Sequence, residues 1–429
     1  MKNHYIVRMA DGRLLAFYHT DSLGITMKSH EGGRWSKPSC VAPDALSNFT
    51  VSTDRQGVLY LFAQDTAGDV YLYRLNKGEW KSRLILKNPG DNLSPLHIYP
   101  IMSDNGMSII YNHTSGTDAG RLILQSIDDR GKWQTPQSID AYVPSVVPFS
   151  VRAITPSHAL LFYAKKSADS TIGYVEVGPD RATSFNTIFS TNQRISDTSF
   201  LVTHDSLHSL LIVRGHFSSQ VIYRRKADTE FSTPIVLAES QQLGNCLLMF
   251  VSGKLMAFFM MGGQLVCASS SDHGQTFSAA SRCTNKFCAV PIKAAYISQM
   301  PMETGDFFVC QVYVDRNNVS DIQLLPDMHE DFYPIASVPA PAARQSDDSS
   351  DLADLTQKIV LFRDKLDLTQ LQLAEKERQM ALFIDAAKEE KKRLHERITE
   401  LEAKVASVPA LPIQPQTAST KLQYPPMII

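Results

Sequence analysis

Apolar residues in the first 338 positions come in short runs, each closed by a cluster of Gly, Asp, Asn or Ser. Runs at 49–53, 58–64 and 69–75 form one triplet. Runs at 150–154, 159–164 and 171–177 form another, and those at 246–251, 254–260 and 264–269 a third. They are rich in β-branched and aromatic residues and too short for an amphipathic helix, so each predicts a strand. An aromatic residue closes each unit, usually with a small polar residue next. These aromatics are Trp35, Trp80, Trp133, Phe185, Phe231, Phe277 and Phe332, at spacings of 45, 53, 52, 46, 46 and 55 residues, and they take all three tryptophans of the chain. Four short strands in every unit of about 50 residues is the pattern of a propeller blade. One such sheet cannot bury both faces, whereas a ring of sheets stacked face to face leaves only short edges. The expected fold class is an all-β seven-bladed β-propeller over residues 1–338, followed by a long α-helical coiled coil. The chain begins with an innermost strand and ends with an outermost one, which leaves the ring closure open between packing and strand exchange.

The pattern changes after Val338. Residues 339–351 are rich in Pro, Ala, Ser and Asp and read as a linker. Residues 352–406 contain no Gly or Pro and repeat apolar residues with a heptad period. The seam runs through Leu352, Leu355, Ile359, Phe362, Leu366, Leu373, Met380 and Phe383. After a four-residue shift it continues through Leu394, Ile398, Leu401 and Val405. A lone helix would leave this stripe in water, so a homo-oligomer is expected through it. Residues 407–429 are Pro-rich and expected to be disordered.

One turn carries a recognisable motif. Ser270-Ser271-Asp272-His273-Gly274-Gln275-Thr276-Phe277 resembles the Asp-box, or BNR repeat, of sialidase-like propellers. Ser29–Trp35 and Ser126–Trp133 are degenerate versions of it. In that family the box is a structural turn between the third and fourth strands of a blade. The resemblance therefore implies structural roles for Ser270, Asp272, Gly274, Thr276 and Phe277, and it bears on fold more than on activity.

The same resemblance raises a glycosidase alternative. Sialidase-like sites use three arginines on the substrate carboxylate, a Tyr nucleophile with a Glu partner, and an Asp acid/base. Arg8 lies in Val7-Arg8-Met9-Ala10, which departs from the family's arginine motif. Arg152 and Arg214 sit in strand-like segments that can face a central channel, and His97, His204 and His208 fall near strand starts. No zinc helix, nucleophile elbow, phosphate loop or dinucleotide fingerprint occurs, and no cofactor or metal is expected. The cysteines Cys40, Cys246, Cys267, Cys283, Cys288 and Cys310 are mostly in apolar, strand-like contexts and are expected to be reduced. A net charge of −2 gives no reason to expect nucleic acid or a membrane surface as partner. No signal peptide or membrane-length apolar run is seen, so a cytoplasmic location is expected. These readings favour a non-catalytic, multivalent binding or scaffold protein whose propeller recognises a protein or glycan. A carbohydrate-active enzyme and a structural assembly protein are the alternatives.

Overall fold

In the computed structural model the described residues are 3–323, except 55, 77, 89–94, 104–105, 115–119, 128–131, 144–148, 156–157, 166, 168, 179–180, 228–229, 284–290, 301–306 and 316–321; beyond 323 only Arg393 is described. Contacts divide the chain into Met1–Val338 and Pro339–Ile429. Every named element is a β-strand.

Blade 1 holds β1 (His4–Arg8), β2 (Leu14–Thr20), β3 (Gly24–Glu31), β4 (Arg34–Trp35) and β5 (Ser39–Ala42). Blade 2 holds β6 (Ala45–Thr53), β7 (Leu59–Asp65), β8 (Val70–Asn76) and β9 (Glu79–Leu86). Blade 3 holds β10 (Ile98–Ser103), β11 (Gly106–Thr114), β12 (Gly120–Ile127) and β13 (Gln137–Tyr142). Blade 4 holds β14 (Phe149–Thr155), β15 (His158–Lys165), β16 (Ser170–Val177) and β17 (Asn186–Thr191). Blade 5 holds β18 (Arg194–Val202), β19 (Ser206–Arg214), β20 (Ser219–Ala227), β21 (Glu230–Phe231) and β22 (Ile235–Ser240). Blade 6 holds β23 (Leu243–Val251), β24 (Lys254–Met261), β25 (Gln264–Ser270) and β26 (Ser281–Arg282). Three last strands, β27 (Pro291–Ser298), β29 (Gln311–Asp315) and β30 (Ile322–Gln323), follow, with β28 (Phe307–Phe308) pairing back on β23.

Each blade is an antiparallel meander in chain order, and apolar clusters lie between successive sheets. Leu15 and Phe17 meet Leu59 and Leu61 between blades 1 and 2. Leu160 and Phe162 meet Phe200 and Leu211 between blades 4 and 5, with the Phe162 and Phe200 rings stacked at 4.2 Å. Leu210 and Tyr223 meet Leu248 and Phe259 between blades 5 and 6. The last strands return to the start, where Ala294, Tyr296 and Val312 pack on Ile6, Leu14 and Ala16. This is the layered core of a β-propeller.

The fold differs from the seven-bladed β-propeller with a coiled coil expected from sequence. Among the described residues six blades carry four antiparallel strands. The strands after them do not make an independent seventh blade: β27, β29 and β30 join blade 1 in one eight-stranded sheet. The joint is a parallel ladder between β27 and β1, with Tyr5 opposite Ala295 and Arg8 opposite Ser298. The aromatic spacing counted repeats, not complete sheets. Ring closure, left open by the sequence, is by strand exchange: β1 and β27 are far apart in sequence, and the free edge of β1 is paired. No coiled coil is shown. The linker, the seam Leu352–Val405, the tail and the seventh aromatic, Phe332, lie outside the described residues.

Candidate functional site

The repeat aromatics are wedges between sheets. Trp80 packs into the cluster between blades 1 and 2, edge-on to Phe17 at 6.1 Å. Trp133 packs against blade 2 and donates its indole N–H to the Ile85 carbonyl at 3.0 Å. Phe185, Phe231 and Phe277 fill the corresponding places behind blades 4, 5 and 6. Trp35 does the same against the last strands. Each described aromatic thus packs against the strands that precede its own blade around the ring.

The small polar residue after the aromatic also has a physical role. Ser36, Ser232 and Ser278 each donate their backbone N–H to a third-strand carbonyl, of Ser29, Arg225 and Ser269 respectively. Their hydroxyls accept the N–H of that same residue at 3.0–3.1 Å. Thr183 makes the equivalent pair with Glu176, although in blade 4 it follows Ala182, which bridges to Val177, and stands two residues before Phe185. The hydroxyl supplies an acceptor where the regular ladder is interrupted.

The turn after β25 is held by Asp272. Its carboxylate accepts the backbone N–H groups of Gln275 at 3.0 Å and Thr276 at 2.9 Å, and the Thr276 hydroxyl at 2.6 Å. Those bonds hold the Asp272 carboxyl well below the usual carboxylate range. Ser270 Oγ donates to Asp272 and accepts the N–H of Gly274 at 2.8 Å. Gly274 takes a left-handed φ of 85° and lies directly against Tyr223 Oη of blade 5. Tyr223 shares a 2.7 Å hydrogen bond with His208 Nδ1 and meets the Phe277 ring at 4.7 Å. His208 is 1% exposed, and burial pushes its pKa down to about 3, so it is neutral there. The turn is therefore seated on blade 5 through Tyr223.

Beside that seat lies an open cleft of about 310 Å³ between the edge of blade 5 and the turn of blade 6. Its polar lining is Arg225, Glu230, Ser232, Thr233 and Gln275, with Ala227, Phe231 and Ile235 as apolar elements. Ala227 is opposite Glu230, and Lys226 is opposite Phe231. Arg225 is therefore opposite Ser232, and Arg225, Glu230 and Ser232 share one face of the β-ribbon. Arg225 is anchored by its Nε, which donates to Ser206 Oγ at 3.0 Å. Arg224, on the other face, donates to the Ser232, Ile188 and Phe231 carbonyls and lies 5.4 Å over the Phe231 ring. It is spent on structure. The signal for the cleft was present in sequence as Arg and Glu flanking the aromatic step, but their common face needed the strand register.

Other groups join the first strands of blades 5 and 6 to β27. Lys293 of β27 donates to Asp197 of β18 at 2.5 Å, to the Thr198 carbonyl at 2.9 Å and to the Cys246 carbonyl at 3.3 Å. Asp197 also accepts the Cys246 N–H at 2.8 Å. Burial works against the charge on Lys293, but Asp197 outweighs it and the pKa is raised. Arg152 lies on an inner strand as expected, yet its Nε and Nη1 donate to the Phe200 and Val151 carbonyls at 3.1 and 2.9 Å. Arg214 is exposed at the end of β19, and Arg8 ends β1. His97 is held by Asn112 and Asn48, and burial pushes its pKa down to about 4; His204 is exposed, edge-on to Phe308 at 4.9 Å. Cys246 and Cys267 are buried, Cys283 and Cys310 half-buried, and Cys40 exposed; these five are free thiols, and Cys288 lies outside the described residues. Among the described residues no metal-holding group of His, Cys, Asp and Glu occurs, and no helix is long and apolar enough to cross a membrane.

No protein-family model matches this chain, and no curated protein sequence does. Among solved structures it is similar to β-propeller lectins at low identity. The BP39L lectin from Burkholderia pseudomallei is 12% identical with a TM-score of 0.47, covering 63% of this chain and 82% of its own. A lectin from Aleuria aurantia, described as a six-bladed β-propeller with a novel fucose recognition mode, is 12% identical with a TM-score of 0.41, covering 65% and 96%. A triple mutant of AofleA from Arthrobotrys oligospora is 10% identical with a TM-score of 0.42, covering 65% and 86%.

Proposed function

We propose that the propeller is a non-catalytic glycan-binding head and that the cleft between blades 5 and 6 is its binding site. One observation carries the reading. Arg225, Glu230, Ser232, Thr233 and Gln275 place fixed donors and acceptors side by side in a shallow, solvent-open cleft. Sugar hydroxyls both donate and accept, and they match such a mixed lining. A guanidinium donates to one hydroxyl while a carboxylate accepts from its neighbour, and Ile235 offers a small apolar surface to a ring C–H face. Among the described lining residues Glu230 is the one carboxylate, whereas glycoside hydrolysis ordinarily employs two acting in concert. The cleft therefore favours binding over turnover.

The test is calorimetric titration of the full chain with methyl α-L-fucoside, methyl β-D-galactoside, methyl α-D-mannoside and methyl β-N-acetylglucosaminide. Fucosides enter the panel because the Aleuria lectin recognises fucose. At least one glycoside is expected to bind. Arg225→Met is expected to weaken its site by about 10-fold or more, the loss of one charged hydrogen-bond partner. Fluorogenic versions of the same sugars are expected to give no turnover. Turnover that disappears in Glu230→Gln would replace the binding reading with the enzymatic one.

A further inference from the structure

We propose that blade 2 carries a second copy of this site, built on Arg74 and Glu79; the proposal rests on the glycan reading of the blade 5 cleft. The observation is a repeated hairpin. In blade 5 the third strand ends Arg225-Lys226-Ala227 and the outer strand begins Glu230-Phe231-Ser232, with Ala227 opposite Glu230 and Lys226 opposite Phe231. In blade 2 the third strand ends Arg74-Leu75-Asn76 and the outer strand begins Glu79-Trp80-Lys81. There Asn76 is opposite Glu79, Leu75 opposite Trp80, and Arg74 opposite Lys81. The register is the same residue for residue. Arg and Glu therefore stand on the same face, on the side away from the aromatic wedge, in both blades.

The two arginines are also supported from the same place. Ser206, the first residue of β19, accepts from Arg225 Nε at 3.0 Å. Tyr60, the second residue of β7, places its ring 5.8 Å beneath the Arg74 guanidinium. In each blade the second strand props the arginine of the third. Tyr60 is itself fixed, donating to Asp54 at 2.9 Å. Arg74 and Glu79 are both exposed, so they are open to a ligand from solvent.

The pairing does not recur in the other four complete blades. The corresponding Arg and Glu positions hold Ser29 and Arg34 in blade 1, Ser126 and Lys132 in blade 3, Glu176 and Arg181, in reverse order, in blade 4, and Ser269 and Thr276 in blade 6. One difference separates the two copies. Lys81 stands where Ser232 stands, so the blade 2 copy offers an ammonium donor in place of a hydroxyl. The class of ligand is the same, an uncharged saccharide presenting neighbouring hydroxyls to a guanidinium and a carboxylate.

The decisive experiment is the stoichiometry of the same glycoside titration, repeated on Arg74→Met, Arg225→Met and the double variant. Two sugars per chain are expected for the natural sequence, one for each single variant and none for the double variant. Glu79→Gln is a second probe of the blade 2 copy and is expected to act like Arg74→Met. Both blade 2 positions are exposed, and unchanged thermal unfolding of the variants is the check on folding. One sugar per chain, abolished by Arg225→Met and untouched by Arg74→Met and Glu79→Gln, overturns the second site and leaves the glycan reading standing. No binding of any panel member to the natural sequence overturns the glycan reading itself, and the second site with it.

Discussion

Gly274 shows how a single residue fixes the relation between two blades. Its φ of 85° is costly for a residue with a side chain, and a Cβ there would run into Tyr223 Oη. The phenol cannot retreat, because it is held by His208 and by the Phe277 ring. Gly274→Ala is expected to destabilise the protein by about 2–3 kcal/mol, from backbone strain and overpacking together, read as a lower urea midpoint. The His208 imidazole makes a second residue-scale prediction. Its pKa falls from 6.5 in the unfolded chain to about 3 in the folded one. The folded state therefore refuses a proton that the unfolded chain accepts. Its contribution to stability is complete above pH 6.5 and is lost as the pH drops from there toward 3. Unfolding midpoints measured from pH 7 to pH 4 are expected to fall for the natural sequence, with His208 contributing up to about 3 kcal/mol of the change. His208→Asn is expected to flatten that slope without abolishing it, since His97 titrates in the same direction.

At the scale of the strand and hairpin, the repeat read from sequence separates into parts with different physical jobs. The aromatic is a wedge into the preceding sheet, and the serine after it closes an interrupted ladder. Both were legible as recurring residue types, because the same packing problem recurs at every blade boundary. The candidate site was less legible. Arg225 and Glu230 are five positions apart, a spacing with no meaning on an isolated strand. Across a tight hairpin that spacing puts them on one face, and only the register shows it. The same register turns Arg74 and Glu79 from two unremarked surface charges into a pair. The Asp272 turn was the reverse case. Its residues stood out in sequence and its bonds are local, yet they serve the turn and its seat on blade 5.

The whole molecule is held by contacts between residues far apart in the chain. Lys293 joins β27 to β18 and β23 at once, through Asp197 and two carbonyls. The pair retains some solvent contact, with side chains 18% and 23% exposed, which tempers its energetics. Lys293→Met leaves Asp197 without its cation and is expected to cost about 2–4 kcal/mol, at or below the range for breaking a buried pair. The double variant Lys293→Met with Asp197→Leu is expected to recover part of that loss, since no charge is then stranded. Chemical denaturation of the four sequences measures the coupling directly, and additive losses would deny it.

Much of the architecture follows from the sequence alone. Short alternating runs dictate strands, turn residues at regular intervals dictate meanders, and sheets apolar on both faces must stack on their neighbours. These are local constraints, repeated often enough to be read without coordinates. What only the tertiary structure decided was non-local. Among the described residues it gave six complete four-stranded blades, paired the last strands with β1 in parallel, joined β18, β23 and β27 through Lys293 and Asp197, and aligned each Arg–Glu pair on one face. Hydrogen-bond partners across a closing ring are chosen by which free edges meet when the sheets have stacked. No residue pattern within a single strand carries that information.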